Sequence, residues 1–219
     1  KKYTPVRQVL DRAASFIRVP TLCFSLVIHE NKLCGLYIGL LQESWSKAAD
    51  LSAKVNIIYK DRQFTKVLSM PSEMYDDLWT AAKAMYKLEP VVADGGTLII
   101  YAPQLKHVSF THAELIAKTG YHVRDYFLKQ HDQFKSVPGT IKAHSTHVKG
   151  AGTYENGIET PRINVVLATG IPEKQCQKLN LGFMNPDDIK SSIWQGREDE
   201  NILVVKNAGE VLYRCKKRS

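Results

Sequence analysis

The chain has 219 residues, 44% hydrophobic and 24% charged, with 13 Gly and 9 Pro. That composition excludes collagen-like, disordered and disulfide-stapled classes and points to a packed core in one large domain or two small ones. Thirty Lys and Arg against 22 Asp and Glu leave a net charge of +8, which attracts phosphates or carboxylates without naming a partner.

Residues 5–17 carry Val6, Val9, Leu10, Ala13 and Ile17 at three- and four-residue spacing, which predicts an amphipathic helix ending before Pro20. Strands are expected over 22–29 and 33–41, joined as an antiparallel hairpin by the polar Glu30-Asn31-Lys32. A helix over 43–53 and short strands over 55–59 and 64–70 follow. Strand and helix then alternate. Helices are predicted over 75–87, from Thr111 with Glu114 completing a capping box, and over 123–134; a buried strand at 97–102 follows the turn Asp94-Gly95-Gly96. Beyond them come a candidate strand over 142–148, a loop over 149–160 and a strand over 162–169. Short helices start at Pro172 and Pro186, and strands over 202–206 and 210–214 end the chain. The expected class is α/β, a largely parallel sheet flanked by helices, preceded by a hairpin-and-helix segment over 1–62. Ligands of such a sheet sit beyond the carboxyl ends of its strands.

The longest apolar candidate, 33–41, is far shorter than the ~18 residues of a membrane span, so no membrane partner is expected. Cys23, Cys34, Cys176 and Cys215 show no CxxC spacing and read as reduced thiols of a cytoplasmic protein. The cluster Arg214-Cys215-Lys216-Lys217-Arg218 reads as a solvated tail. The start Lys1-Lys2-Tyr3-Thr4-Pro5 has neither an initiator Met nor a signal peptide, so the chain is expected to be a piece of something longer.

On a helix over 75–87, Asp76, Trp79, Thr80 and Lys83 share one face. An ammonium, a hydroxyl and an indole together can hold a small carboxylate or phosphate; the plainer alternative is a solvated face with Trp79 packed beneath it. Asp94-Gly95-Gly96-Thr97 reads as a turn, since it lacks the GxGxxG and following helix of a phosphate loop. In His144-Ser145-Thr146-His147 an extended backbone sends the two imidazoles to opposite sides. Each histidine is then either a structural residue or an acid, base or donor near neutral pH. Gly120 to Tyr126 gathers a cation, two phenols and an imidazole, with Asp125 at a helix start and Arg124 a candidate anion contact. His29, His107, His112 and His131 carry no assigned role.

The stretch Tyr75-Asp76-Asp77-Leu78-Trp79-Thr80-Ala81-Ala82-Lys83-Ala84, followed by Val91-Val92-Ala93-Asp94-Gly95-Gly96-Thr97-Leu98-Ile99-Ile100, resembles the C-terminal half of the nickel-dependent lactate racemase family. The likeness covers nearly the whole chain and is strongest over 67–102; the later stretches 120–127, 143–150 and 168–170 look like a lactate-racemase-like branch. It implies an isomerase, a racemase or epimerase of a 2-hydroxy acid, using a nickel-pincer nucleotide to take and return a hydride. The cofactor-bearing lysine, the nickel-binding histidine and two proton-shuttling histidines of such enzymes belong to an N-terminal domain absent from this sequence. Residues 1–62 are then the end of the cofactor-side domain or a connecting segment, and 63–219 the substrate-side domain. This fragment alone is expected to be inactive and to hold neither cofactor nor metal.

By the same resemblance Lys83 matches the family's substrate-side lysine and Trp79 an aromatic position. Thr80 falls where the lactate enzymes have a substrate-binding glutamine, and its shorter reach leaves room for a substrate larger than lactate. His144 or His147 stands near the family's later substrate-site tryptophan. The implied partners are a small 2-hydroxy carboxylate and the protein's own N-terminal domain. A reading from another class is a non-catalytic carboxylate- or nucleotide-binding module. Nucleic acid is not an expected partner, because no recognition module or stacking motif is present.

Overall fold

A computed structural model describes residues 3–216 and divides the chain into two units between Ile58 and Tyr59. Lys1-Lys2 at the start, and Lys217 and Arg218 of the basic tail, lie outside the described residues.

In the first unit, α1 (Pro5–Ala14) begins where the Thr4 hydroxyl accepts from the Arg7 amide at 3.2 Å and Pro5 pre-sets the first helical turn. The antiparallel strands β1 (Cys23–His29) and β2 (Lys32–Gly39) turn through Glu30 and Asn31, at φ 47° and 61°. Two successive positive φ values match the right-handed twist of a hairpin, so the connection is tighter than the sequence predicts. Helix α2 (Leu41–Val55) packs on one face of the hairpin, where the Ser25 and Ser44 hydroxyls bond and His29 Nδ1 meets Asn56 Oδ1 at 2.9 Å. A Cβ on Gly35 would stand 2.5 Å from Leu51 Cδ2, so the absence of a side chain there lets β2 approach the helix.

Strand β3 (Ile57–Lys60) leads to the second unit, where β4 (Phe64–Pro71) is followed by the short helices α3 (Leu78–Ala81) and α4 (Lys83–Tyr86). The single helix expected over 75–87 breaks at Ala82 and starts only after Asp77, so Asp76 is not on it. Strand β5 (Val92–Ala102) starts earlier than expected: Asp94-Gly95-Gly96 is an irregularity inside it, with Gly95 at φ 73°. Helices α5 (Ala113–Thr119), α6 (Arg124–Lys129) and α7 (Gly139–Lys149) come next. The Thr111–Glu114 capping box does not form; the Ser109 hydroxyl accepts from the Thr111 and His112 amides instead.

Two expectations are corrected here. Residues 142–148 are helical: Pro138 opens α7, Ile141, Ser145 and Val148 bury one face, and Gly150 at φ 88° ends it. The expected loop over 149–160 contains a hairpin, β6 (Gly152–Glu155) and β7 (Ile158–Pro161), turned by Asn156 and Gly157 at φ 51° and 81°. The chain continues through β8 (Asn164–Thr169), α8 (Glu173–Lys178), β9 (Gly182–Phe183), a single 3-10 turn at Pro186–Asp188, α9 (Ser191–Trp194), β10 (Ile202–Ala208) and β11 (Leu212–Cys215).

Five strands form one parallel sheet in the order β10-β4-β5-β8-β9. Val67, Leu98, Ile100, Leu167, Leu203 and Val205 belong to the main core with Leu78, Met85, Tyr121, Ile141 and Val148 from the helical layer. Leu68, Ile99 and Ala168 meet Ile189 and Trp194 in a second cluster. Apolar residues on both faces are the pattern of a parallel sheet covered on both sides. Arg162 fastens its amino-terminal edge, donating to the carbonyls of Val92 (2.8 Å) and Glu89 (2.7 Å) and to Asp94 Oδ1 (2.9 Å). No helix among the described residues is long and apolar enough to cross a membrane, and all four cysteines are free.

Candidate functional site

At the carboxyl end of β4 the chain enters α3 through Asp77. This buried carboxylate accepts from the Thr80 amide (2.9 Å) and hydroxyl (2.7 Å) with Oδ1, and from the Phe110 amide (3.2 Å) with Oδ2. It both caps α3 and ties it to the loop after β5, whose His107 and Val108 carbonyls accept from the Leu78 and Trp79 amides, each at 3.0 Å. Two loops at the ligand edge of the sheet are thereby fixed against each other.

Trp79 stands half-buried in that seam, its ring 4.5 Å from His112 and 4.2 Å from His144. Tyr121 is fully buried beneath them, with its hydroxyl 3.1 Å from His144 Nε2. Burial pushes the Tyr121 hydroxyl well above the ordinary phenol range, so it keeps its proton in its hydrogen bond with Nε2. Burial first, then His147, pushes His144 down to about 4. His144 is therefore a neutral imidazole at pH 7, its Nε2 already engaged.

The helix places His144 and His147 three residues apart, as neighbours along α7 rather than on opposite sides of a strand. His147 is exposed, with its ring 5.0 Å from Tyr86 on α4. The segment from Leu78 to Tyr86 thus meets one histidine of α7 with its indole and the other with its phenol.

Lys83 is exposed and has no ion-pair partner among the described residues; its ammonium lies 5.4 Å from the Tyr75 ring centroid. Beside it Lys87 donates to the Gly209 carbonyl at 2.6 Å, and burial and then the Lys83 charge lower its pKa. Gly209 has φ 99°, and a Cβ there would meet the Tyr75 hydroxyl at 3.0 Å and Lys83 Cβ at 3.2 Å, so only glycine lets this loop lie against the lysine stem. Thr80 commits its hydroxyl proton to Asp77, leaving its oxygen as an acceptor. Arg124 is exposed at the start of α6 without a hydrogen bond or ion pair among the described residues, and nothing joins it to Trp79 or Lys83. Asp125 approaches Lys129 at 4.0 Å.

Sequence reasoning gave no role to His112 and missed Asp77 as the cap and Tyr121 as the partner of His144. Asp77 was legible, since an acidic residue just before an apolar run is an N-cap signal. The tertiary contacts of His112 and Tyr121 have no local signature. A further group, also unassigned from sequence, surrounds Glu159, whose carboxylate accepts from His122 Nδ1 (2.8 Å), the Val123 amide (2.6 Å) and Asn180 Nδ2 (2.9 Å). His122 stacks on Tyr126 at 3.7 Å, and the group holds the second hairpin against the start of α6.

Fold and edge together define a parallel α/β domain that gathers indole, imidazole, phenol and ammonium groups where such sheets take ligands. No family model matches the chain, and no curated protein matches it. Among solved structures it is similar to a Thermotoga maritima protein determined as a structural-genomics target, at 33% identity and a TM-score of 0.87, covering 98% of this chain and 54% of that one. It is also similar to the lactate racemase apoprotein of Thermoanaerobacterium thermosaccharolyticum, at 14% identity and a TM-score of 0.68, covering 96% of this chain and 49% of that one. The latter likeness establishes a shared fold. The chain spans about half the length of both solved proteins.

Proposed function

We propose that the chain is the substrate-side part of a lactate-racemase-like isomerase, a racemase or epimerase of a 2-hydroxy acid when the whole protein is present. The observation that carries this reading is the exposed Lys83 ammonium, without an ion-pair partner among the described residues, on the same short segment as Trp79 and Tyr86. Lys83 binds the substrate carboxylate, and Trp79, held by His112 and His144, forms a fixed wall beside it. His147, exposed on Tyr86, donates to the hydroxyl side of the ligand, and Thr80 offers only an acceptor. The fold shared with a lactate racemase supports the assignment. In this reading the hydride chemistry belongs to a nickel-pincer nucleotide held by the protein's N-terminal domain. Among the described residues no three His, Cys, Asp or Glu side chains come together as metal ligands. In this reading the chain's part is to bind and orient. Arg124 is at most an outer anion contact.

The commitment of the Thr80 hydroxyl to Asp77 favours one second reading, a carboxylate- or nucleotide-binding module without turnover. Calorimetric titration of the chain with D- and L-lactate, larger 2-hydroxy acids and a mononucleotide separates the two. Binding of 2-hydroxy acids that disappears in Lys83→Ala, with chiral chromatography of the whole protein's products showing racemisation, supports the isomerase. Nucleotide binding alone supports the module.

A further inference from the structure

The first unit turns its apolar residues outward. In α1 the charged pair faces in: Arg7 and Asp11 meet at 2.8 Å with only 15% and 18% of their side chains exposed, and the Arg7 guanidinium lies 3.6 Å from the Trp45 ring centroid. Val6, Val9 and Leu10, which share the opposite row, are 70%, 68% and 57% exposed. The hairpin does the same. Its cross-strand pairs Phe24–Ile38, Leu26–Leu36 and Ile28–Leu33 share the face away from α2, and all six side chains are between 47% and 57% exposed. An amphipathic helix ordinarily buries its apolar row, and a half-buried hairpin its apolar face. The six paired side chains of the hairpin make an apolar face of the kind that marks an interaction surface, unlike apolar residues scattered singly.

We infer that this hairpin face is the docking surface for a folded polypeptide equivalent to the 46% of the Thermotoga protein that this chain, covering 54%, does not represent. Two observations select that occupant. The match takes in 98% of this chain, so the hairpin lies within a portion of a longer protein whose remaining portion has no counterpart here. The face itself carries no charge, which suits an apolar protein layer and makes no use of the chain's net +8. A two-stranded hairpin backed by one helix is marginal alone, and a third layer completes its core. The inference deepens the partner named under the proposed function and rests on that partner's presence, not on its chemistry.

The first test uses the coordinates of the Thermotoga protein: the residues matching Phe24, Leu26, Leu36 and Ile38 are expected to lie beneath the portion this chain lacks. Open or self-covered positions overturn the inference. In solution, the full chain is co-expressed with that portion of the Thermotoga chain, and light scattering is expected to give a 1:1 complex in which amides 23–39 exchange more slowly. Leu26→Asp with Leu36→Asp should abolish the complex while the melting of the second unit stays unchanged; the milder Leu26→Ser should weaken it. Absence of a complex, protection confined elsewhere, or a homodimer of the chain built on this face overturns the inference. A complex without racemase activity upholds it and removes the proposed reaction instead.

Discussion

The Tyr121 hydroxyl lies 3.1 Å from Nε2 of His144, and the His144 ring packs 4.2 Å from Trp79. A buried hydroxyl thus fixes the imidazole that fixes the indole. Protonating His144 would place a charge in a buried position beside His147, and burial and then that neighbour hold it down to about 4. An unfolded histidine titrates near ~6.5. Between these values the unfolded chain binds the extra proton, so the stability present above the upper value is lost as pH falls toward the lower one. The loss is expected to reach about 3 kcal/mol. Denaturant unfolding at pH 7 and pH 4.5 measures it, and His144→Phe should flatten the dependence.

Lys83→Ala should weaken 2-hydroxy-acid binding about 30-fold or more, the equivalent of the ~2 kcal/mol lost when a charge partner is removed. The melting temperature should barely move, because the side chain is exposed and makes no ion pair among the described residues. Unchanged affinity together with a large stability loss would assign the lysine to the scaffold.

Asp77→Ala removes the cap of α3 and the acceptor for the Phe110 amide together. The expected destabilisation is about 2 kcal/mol. Hydrogen exchange should rise at Phe110 and along 107–112, with Trp79 fluorescence shifting as the indole loses its clamp. Asp77→Asn should retain part of the cap.

Glu159 is pushed upward by burial, yet the bonds from His122 and the Val123 amide outweigh that and leave its carboxyl below the usual range. Its contribution is present above the unfolded carboxyl value and disappears as pH falls through the native one. Glu159→Gln should therefore destabilise by about 1–3 kcal/mol at pH 7 and by little at the acid end, as thermal melts across pH will register.

The parallel sheet was legible because Leu98-Ile99-Ile100 and its neighbouring strands are apolar runs bounded by turn residues, and the hairpin because Glu30-Asn31 interrupts two such runs. The candidate strand over 142–148 is helix instead. Ile141, Ser145 and Val148 already had helical spacing, with Pro138 before and Gly150 after them. Asn156-Gly157 was a direct hairpin signal read only as loop. Trp79 and Lys83 could be named because helix spacing is local. The meeting of Trp79 with His112, and of His144 with Tyr121, depends on how separate loops close over the sheet, which no periodicity encodes.

Arg162 rivets only one end of the sheet. Its three bonds hold the starts of β5 and β8, while the segments 72–77, 103–112 and 209–211 leave from the other end. Strand register and ligand choice are therefore written in different places. Exposed side chains in those segments, such as Glu73, Lys106 and Glu210, can be exchanged without disturbing the pairing below them, so the chemistry of the rim can vary while the base stays as it is.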